Sequence, residues 1–265
     1  VQEGPESDLN MTERTQPAML AAGVAVWRVW IEQNGAKPSV LAGHSLGEYT
    51  ALVCAGALAF KDAVALVAMR GRCMQSAVPA DTGAMAAVLG LEIDQLEKIC
   101  ADASAEETVT CANLNAPGQI VIAGHRGAVE RAIAAAKSAG AKRALLLPVS
   151  VPSHCPLMRD AATQLQQHLQ GISWRTPTIP VVHNVDVQTH DDAEGIVAAL
   201  SQQLYKPVRW IETVQSLRLR GVTRIIECGP GKVLAGLCKR IESGIECLSV
   251  FDTATLAAAL GNKSA

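Results

Sequence analysis

The sequence SVLAGHSLGEYTALVC, residues 39–54, contains the feature that decides how this chain folds. Its first four residues form a short apolar run that predicts a β-strand, and residues 45–54 return to the spacing of an amphipathic helix. Between them, Gly43-His44-Ser45-Leu46-Gly47 matches the G-x-S-x-G pattern of a strained turn, in which glycines let the backbone and the helix approach closely. The stretch therefore predicts strand, tight turn and helix in that order, with the Ser45 hydroxyl projecting from the turn.

Helices and strands are predicted to alternate on both sides of this turn. Apolar residues recur at helical spacing over residues 15–33, with Pro17 in the first turn, and over residues 61–77. Strands that alternate with helices imply a parallel sheet, so we predict an α/β fold of the α/β-hydrolase-like type with helices on both faces. Beyond residue 156 the predicted order is a helix, a strand over 179–184, helices over 193–204 and 208–220, a strand over 223–228 and a further helix.

The segment that interrupts this fold has a different pattern. Its predicted order is βαββαβ, which is the ferredoxin-like arrangement of a sheet covered by two helices. Asn115-Ala116-Pro117-Gly118 suits the turn between the two central strands. We therefore assign residues 80–150 to a small inserted ferredoxin-like subdomain, and residues 1–79 with 151–265 to a large subdomain. The predicted strands of the insert are 84–89, 108–113, 119–123 and 143–149, and its predicted helices are 93–103 and 128–139.

The composition of the 265 residues limits the classes of function. Hydrophobic residues make up 49% and charged residues 18%, which predicts a compact protein, and the net charge of −2 provides no basic stripe for nucleic acid. The eight cysteines form no CxxC pair and no Cys/His cluster, so we expect reduced thiols and no metal site. No apolar run approaches the roughly 18 residues that span a membrane. We expect a soluble protein of the cytoplasm that acts as a monomer.

Ser45 is the candidate nucleophile. A serine hydroxyl is a weak nucleophile until a base takes its proton. At the start of a helix the N–H of the next residue, Leu46, is free to donate to an oxyanion that develops on a bound carbonyl group. The same pentapeptide could also be a purely structural turn, but its position between an apolar strand and an amphipathic helix favours chemistry at Ser45.

Six histidines are candidates for the base. His154 lies in Val151-Pro152-Ser153-His154-Cys155-Pro156, a proline-containing loop where the insert returns to the main sheet, and clefts between subdomains are common sites. His44 is too constrained within the turn to act as a base on its neighbour, and it is a candidate for the pocket wall. His183 ends a predicted strand and belongs either to the core or to the pocket wall. We expect the remaining three to be exposed to solvent, namely His125, His168 and His190.

Three motifs, in this order and spacing, resemble those of one enzyme family. Residues 43–49 (GHSLGEY), 151–154 (VPSH) and 227–234 (ECGPGKVL) are similar to motifs of the malonyl-CoA:acyl carrier protein transacylases of bacterial type II fatty acid synthesis. The resemblance covers essentially the whole chain, and the motifs together are far more specific than any one of them. Further stretches that agree are residues 15–18 (TQPA), 69–71 (MRG), 113–119 (NLNAPGQ), 203–205 (QLY) and 207–210 (PVRW).

The resemblance implies a role for each matching residue. Ser45 would attack the malonyl thioester, and His154 would accept its proton and return it to the leaving thiol, after which the phosphopantetheine thiol of acyl carrier protein takes the acyl group. The backbone carbonyl of Gln203 would orient His154, so that no carboxylate completes a triad. Arg70 would hold the malonyl carboxylate by two parallel hydrogen bonds. The expected partners are malonyl-CoA and acyl carrier protein, and no cofactor is expected because the coenzyme A thioester is a substrate.

The residues by themselves leave alternatives open around this pocket. Arg70 lies in a predicted helix, where an arginine at the solvated edge is the ordinary interpretation. Asn113 and Asn115 are candidates to line the pocket from the insert, and turn-forming asparagines account for them equally well.

Two other enzyme classes and one non-enzymatic role compete with the transacylase interpretation. A thioesterase-type α/β hydrolase uses the same turn and base but passes the acyl group to water, and its histidine usually lies near the C-terminus, unlike His154. A polyketide-synthase-type acyltransferase and an inactive fragment that docks carrier protein are the others.

Members of the resembled family begin with a buried strand and a Gly-Gln-Gly-Ser-Gln segment whose glutamine supplies the second oxyanion donor. Because the sequence starts after such a segment, we expect a piece of a longer protein whose activity alone is reduced.

Overall fold

The turn at Ser45 joins β1 (Leu41–Ala42) to α3 (Leu46–Cys54) in the computed structural model, which describes residues 3–79, 81–149 and 151–261. The other helices, counted in chain order, are α1 (Glu6–Leu9), α2 (Thr12–Glu32), α4 (Phe60–Ser76), α5 (Ile93–Ser104), α6 (Arg126–Ser138), α7 (Arg159–Gln170), α8 (Ala193–Gln203), α9 (Trp210–Leu219), α10 (Val233–Ile241) and α11 (Thr253–Ala259), and a short 3-10 helix lies at Pro156–Met158. The other strands are β2 (Gly83–Leu89), β3 (Val109–Ala116), β4 (Gln119–His125), β5 (Arg143–Leu146), β6 (Val181–Val182), β7 (Arg224–Cys228) and β8 (Glu246–Val250). None of the described helices is long and apolar enough to cross a lipid bilayer.

The large part of the chain comprises the described residues of 1–79 and 151–265. Its strands form two parallel pairs, whereas the sequence pattern predicts one sheet. β1 pairs with β6, and β7 pairs with β8, which was not predicted. The strand predicted over residues 179–184 is shortened to β6 because the next two residues direct their N–H groups elsewhere. His183 donates to the Gln188 carbonyl oxygen, and Asn184 donates to the Glu48 carboxylate. The chain thus leaves the strand just where it passes the turn at Ser45.

Strands β2 to β5 form a separate antiparallel sheet in the order β3-β4-β2-β5. α5 follows β2 and α6 follows β4, so the element order is βαββαβ, and Val88, Ile122 and Ala132 are among the buried residues between sheet and helices. The predicted turn at residues 115–118 was wrong, because β3 continues through Ala116 and only residues 117–118 turn. The predicted strand over 143–149 also ends earlier, as β5 shows. Residues 80 and 150, at which the subdomain boundary was predicted, lie outside the described residues.

Backbone hydrogen bonds tie this antiparallel sheet to the rest of the chain. Leu114 donates its N–H to the Val208 carbonyl oxygen at 3.0 Å, and Val208 donates to the Ala112 carbonyl oxygen at 2.9 Å. The end of β3 is therefore held against the segment that leads into α9. This contact brings Asn115, the residue after Leu114 in β3, beside the turn at Ser45.

A buried cluster supports the helix that begins at Ser45. Leu20 of α2, Tyr49 and Leu52 of α3, Leu66 of α4 and Leu165 of α7 are all at most 3% exposed. Burial of side chains of this size contributes roughly 1.5–3 kcal/mol each, and packed interiors resist displacement. The packing of α3 therefore fixes the position of the turn at its N-terminal end.

Candidate active site

Ser45 occupies a strained position at the N-cap of α3. Its φ of 51° and ψ of −110° lie where residues with a side chain are uncommon, a conformation that costs about 1–3 kcal/mol and persists only when the surroundings enforce it. Gly43 permits the turn, since a Cβ there would lie 1.9 Å from the Gly47 carbonyl carbon. Gly47 has a different status, because a Cβ at that position meets no described atom within 4 Å. Of the two glycines in the pattern, close packing requires only the first.

His154 is hydrogen-bonded to Ser45 on one side and to Gln203 on the other. Ser45 Oγ lies 2.8 Å from His154 Nε2, and His154 Nδ1 lies 2.7 Å from the Gln203 carbonyl oxygen. Since a carbonyl oxygen only accepts, Nδ1 carries the proton and Nε2 is free to accept the proton of the serine hydroxyl. Burial, reinforced by the nearby Arg70 cation, lowers the pKa of His154 to about 3. The imidazole is therefore neutral near pH 7, as a general base must be.

Arg70 is buried in the site rather than solvated, being 2% exposed. Its Nη1 donates to Gln16 Oε1 at 2.7 Å, and its Nη2 donates to Gln203 Oε1 at 2.9 Å and to Ser45 Oγ at 3.2 Å. All three acceptors are uncharged, Nε has no acceptor among the described residues, and burial lowers the pKa of the guanidinium. A buried cation held by neutral groups and touching the nucleophilic oxygen is suited to bind an anionic acyl group.

Leu46 follows Ser45 directly and carries the backbone N–H that the sequence predicts as an oxyanion donor. It is the first residue of α3, where the N–H has no intrahelical acceptor. The partial positive charge of the helix N-terminus adds to this donor. A free N–H at such a position can stabilise negative charge on a carbonyl oxygen bound next to the serine.

His44, the residue before Ser45, is hydrogen-bonded to Asn115 of β3. His44 Nε2 lies 2.8 Å from Asn115 Oδ1, and the His44 ring packs edge-on against Trp210 with ring centroids 5.5 Å apart. Burial lowers the pKa of His44, so it too is neutral near pH 7. Asn115 lies in β3 and not in a turn, which corrects the turn-forming interpretation. Asn113 is buried in the same strand, but its side chain is not part of the hydrogen-bonded group around Ser45 in the described residues.

Two buried residues of the site had no predicted role. Glu48 Oε1 lies 2.7 Å from His183 Nδ1, which places His183 in the core beneath the turn. Asn184 hydrogen-bonds to the backbone on both sides of His44, at Gly43 and at Ser45. Glu48 belongs to the serine motif and Asn184 ends the predicted strand at residue 184, so polar residues inside apolar segments were the available signal.

The remaining histidines lie outside this group. His168 is exposed, as predicted. The prediction was wrong for His125, which ends β4 half-buried and accepts a hydrogen bond from the Thr108 N–H at 2.9 Å. It was also wrong for His190, whose side chain is 27% exposed and whose Nε2 lies 2.8 Å from Asp186 Oδ2. Among the described residues no three His, Cys, Asp or Glu side chains are grouped to hold a metal ion.

Comparison with protein families and curated proteins gives a consistent result. Residues 1–255 match the family described as acyl transferase domain. The malonyl CoA-acyl carrier protein transacylase of Salmonella typhimurium is 54% identical over 259 residues, which are 98% of this chain and 84% of that protein. The sequence similarity therefore extends over nearly all of the chain.

Solved structures agree with the sequence comparison. The malonyl CoA-acyl carrier protein transacylase of Coxiella burnetii has a TM-score of 0.96 and 50% identity, over 98% of this chain and 82% of that one. A malonyl-transacylase in complex with its type II polyketide synthase acyl-carrier protein has a TM-score of 0.97 and 54% identity, over 99% of this chain and 85% of that one. The mixed α/β fold described above is thus similar to the fold of these enzymes.

Proposed function

The chain belongs to the acyl transferase domain family, and from this we propose that it transfers a malonyl group from malonyl-CoA to acyl carrier protein through a malonyl-Ser45 intermediate. One observation carries the proposal: Ser45 Oγ contacts a neutral base and a buried cation at once, His154 Nε2 at 2.8 Å and Arg70 Nη2 at 3.2 Å. The base serves acyl transfer in general. The cation selects an acyl group that carries a carboxylate.

In the first half-reaction Ser45 Oγ attacks the thioester carbonyl carbon while its proton passes to His154 Nε2. The Gln203 carbonyl oxygen holds the resulting imidazolium through Nδ1–H, and Leu46 N–H donates to the oxyanion. Collapse of the intermediate breaks the carbon–sulfur bond, and the imidazolium gives its proton to the departing thiolate of coenzyme A. The products are malonyl-Ser45, free coenzyme A and a neutral His154.

The second half-reaction reverses these steps with a different thiol. The phosphopantetheine thiol of the carrier protein gives its proton to His154 Nε2 and attacks the ester carbonyl carbon of malonyl-Ser45. Breaking the ester bond returns the proton to Ser45 Oγ and releases malonyl carrier protein. Kinetics of the ping-pong type follow, and the chemistry requires no cofactor.

Arg70 accounts for the choice of acyl group. A carboxylate at the end of the malonyl group can accept hydrogen bonds from the guanidinium, which has only neutral acceptors in the described residues. An acetyl group would leave the buried cation without an anion. Sites built to hydrogen-bond a polar group strongly reject the analogue that lacks it.

Charged residues outside the pocket support binding of an acidic partner. A cavity of about 500 Å³ opens beside the turn that follows β3, and Lys142 and Arg240 are among its lining residues. The two cations outnumber the single acidic lining residue, Glu92, and they suit the phosphates of coenzyme A or acidic residues of a carrier protein. Asn113 remains a proposed wall residue, and the monomeric state and cytoplasmic location stay predictions.

We also infer the finer classification of the fold. The βαββαβ order and the strand order β3-β4-β2-β5 support a ferredoxin-like subdomain over residues 80–150. The strand-turn-helix unit at Ser45 and the parallel pairing of β1 with β6 support an α/β-hydrolase-like subdomain over residues 1–79 and 151–265.

The test is to follow the acyl group. The protein is incubated with malonyl-CoA, digested and searched by mass spectrometry for a malonyl group on the peptide that contains Ser45, with Ser45→Ala as the control. Addition of carrier protein bearing phosphopantetheine should then move the group to the carrier. An adduct that only water removes would favour a thioesterase-type hydrolase, and no adduct at all would favour a docking role.

A further inference from the structure

Asn184 is a fully buried residue whose four polar groups are all hydrogen-bonded around the turn at Ser45. Its side-chain Oδ1 accepts from the Ser45 N–H at 2.7 Å, and its Nδ2 donates to the Gly43 carbonyl oxygen at 2.7 Å. Its backbone N–H donates to Glu48 Oε2 at 2.9 Å, and its carbonyl oxygen accepts from the Arg209 N–H at 3.1 Å. The side-chain amide of Asn184 is therefore hydrogen-bonded to the backbone on both sides of His44.

We infer that Asn184 is a positioning residue for acyl transfer, which holds the turn so that Ser45 Oγ stays between His154 and Arg70. The inference rests on the proposed function, since it assigns Asn184 to that reaction. Ser45 has a positive φ, and a residue in that region needs external bonds to keep it there. An amide that binds the carbonyl before the turn and the N–H of the strained residue itself supplies two such bonds.

Glu48 fixes Asn184 in turn. The Glu48 side chain is fully buried, and its carboxylate also accepts from Gln203 Nε2 at 2.9 Å and lies 2.7 Å from His183 Nδ1. Gln203 Nε2 donates as well to the Ser45 carbonyl oxygen at 3.0 Å. Both the segment after β6 and the end of α8 are therefore tied to the same carboxylate, and the turn at Ser45 is held from both. Buried hydrogen bonds that share one carboxylate favour a single geometry, and among the groups named here only His183 Nε2 has no partner in the described residues.

A purely structural role for Asn184 makes a different prediction from a positioning role. A structural residue contributes to stability, so its loss lowers Tm without changing the chemistry of the molecules that remain folded. A positioning residue changes the rate of the step in which Ser45 attacks, while substrate binding away from the turn is retained. Supporting residues of this kind typically affect activity by about 10–100-fold.

The experiment compares Asn184→Ala with a variant that loses a hydrogen bond at the opposite end of α3. Thr178 Oγ1 donates to the Ala55 carbonyl oxygen at 2.9 Å just after α3 ends, so Thr178→Val removes one bond far from the turn. For each variant we would measure Tm, kcat and KM of malonyl transfer, and the rate at which a fluorophosphonate reagent labels Ser45. At temperatures well below Tm, Asn184→Ala should lower kcat and the labelling rate about 10–100-fold, with KM changed less than about threefold. Thr178→Val should leave kcat, KM and the labelling rate unchanged.

Asn184→Asp keeps the inference testable should the alanine variant fail to fold. It preserves the shape and the acceptor for the Ser45 N–H, but it places an oxygen against the Gly43 carbonyl oxygen in place of a donor. A loss of kcat and of labelling in this variant supports the inference. Unchanged kcat and labelling in a folded Asn184 variant overturn it. If the wild-type protein is labelled but transfers no malonyl group, the proposed function fails, and the labelling rates alone then decide the role of Asn184.

Discussion

The large part of the chain and the antiparallel sheet build opposite sides of one site in different ways. Ser45, His154, Gln203 and Arg70 all come from the large part, where each is linked to the next by hydrogen bonds inside the packed interior. The antiparallel sheet contributes Asn115, which touches the site through one bond to His44 and not through the reacting atoms. The difference predicts that substitutions of these four residues change malonyl transfer more than substitution of Asn115 does.

Removal of the nucleophile should have the largest effect on malonyl transfer, and it tests the part assigned to the large part of the chain. Ser45→Ala should reduce malonyl transfer by about 10⁵-fold or more, because the variant lacks the hydroxyl that would carry the acyl group. His154→Ala should cost nearly as much, and the double variant should cost no more than either single one, because nucleophile and base act as a unit. Single-turnover transfer, with circular dichroism to verify folding, provides the measurement. Losses that simply add in the double variant would contradict a joint role.

The buried cation is the next largest expected effect. Arg70→Ala should lower malonyl transfer by about 10²-fold while transfer of an acetyl group improves relative to it, because the carboxylate loses its partner. Arg70→Lys is the matched control, since it keeps the charge but not the planar pair of donors. Competition between malonyl-CoA and acetyl-CoA measures the preference. An unchanged ratio in Arg70→Ala would disprove the carboxylate clamp.

Acid should destabilise the large part through His154. The ordinary pKa of histidine is 6.5, and burial lowers that of His154 to about 3, so between these values the unfolded chain binds a proton that the folded chain does not. Stability is therefore complete above pH 6.5 and declines as pH falls toward 3, by about 2 kcal/mol at pH 5. Urea unfolding of the wild type and of His154→Gln, at pH 5 and above pH 6.5, tests this prediction. The free energy of unfolding of the variant should fall less between these conditions, because the variant has no histidine at this position to titrate.

The same shift governs the pH dependence of the reaction. His154 must be neutral to accept a proton, so its titration should remove activity only as pH falls toward 3. kcat/KM for formation of malonyl-Ser45 should show no decline centred near pH 6.5. A half-maximal rate near that value, absent when His154 is replaced, would show that the base titrates as an ordinary histidine.

The smallest effect is expected from the antiparallel sheet. Asn115→Ala removes one hydrogen bond to His44, which corresponds to about 1 kcal/mol or roughly fivefold in kcat/KM, mostly through KM. Ser104→Ala is a control at the end of α5, the helix that packs on this sheet, because among the described residues its hydroxyl bonds only to the backbone of α5 and β3. A fall in kcat as large as that of Arg70→Ala would mean that the sheet takes part in the chemical steps.

Local sequence predicted most helices within a few residues, and it predicted the ends of strands poorly. The helix expected over residues 61–77 is α4 (Phe60–Ser76), because its apolar spacing is repeated over several turns. The strand expected over 179–184 keeps two residues, because strand length depends on where partners offer hydrogen bonds. The turn expected at 115–118 moved for the same reason, since β3 bonds to β4 as far as Ala116.

The residues of the site also divide into those that the sequence predicted and those that it did not. Ser45 and His154 were predicted from motifs that contain them, and Gln203 and Arg70 from the resemblance of neighbouring segments to one family. Glu48 and Asn184 received no role, because a polar residue in an apolar segment does not reveal which distant group it meets. Their hydrogen bond joins residues 136 positions apart.

The sequence by itself determined the strand, the turn and the helix at Ser45, because Gly43 and the apolar periodicity act over a few neighbouring residues. Tertiary structure alone decided that His154, 109 positions away, lies 2.8 Å from Ser45 Oγ. It also decided that Arg70 is buried beside that oxygen instead of solvated at a helix edge. The physical reason is that burial and long-range hydrogen bonds depend on how helices and strands pack together, and the local spacing of residues does not predict that packing.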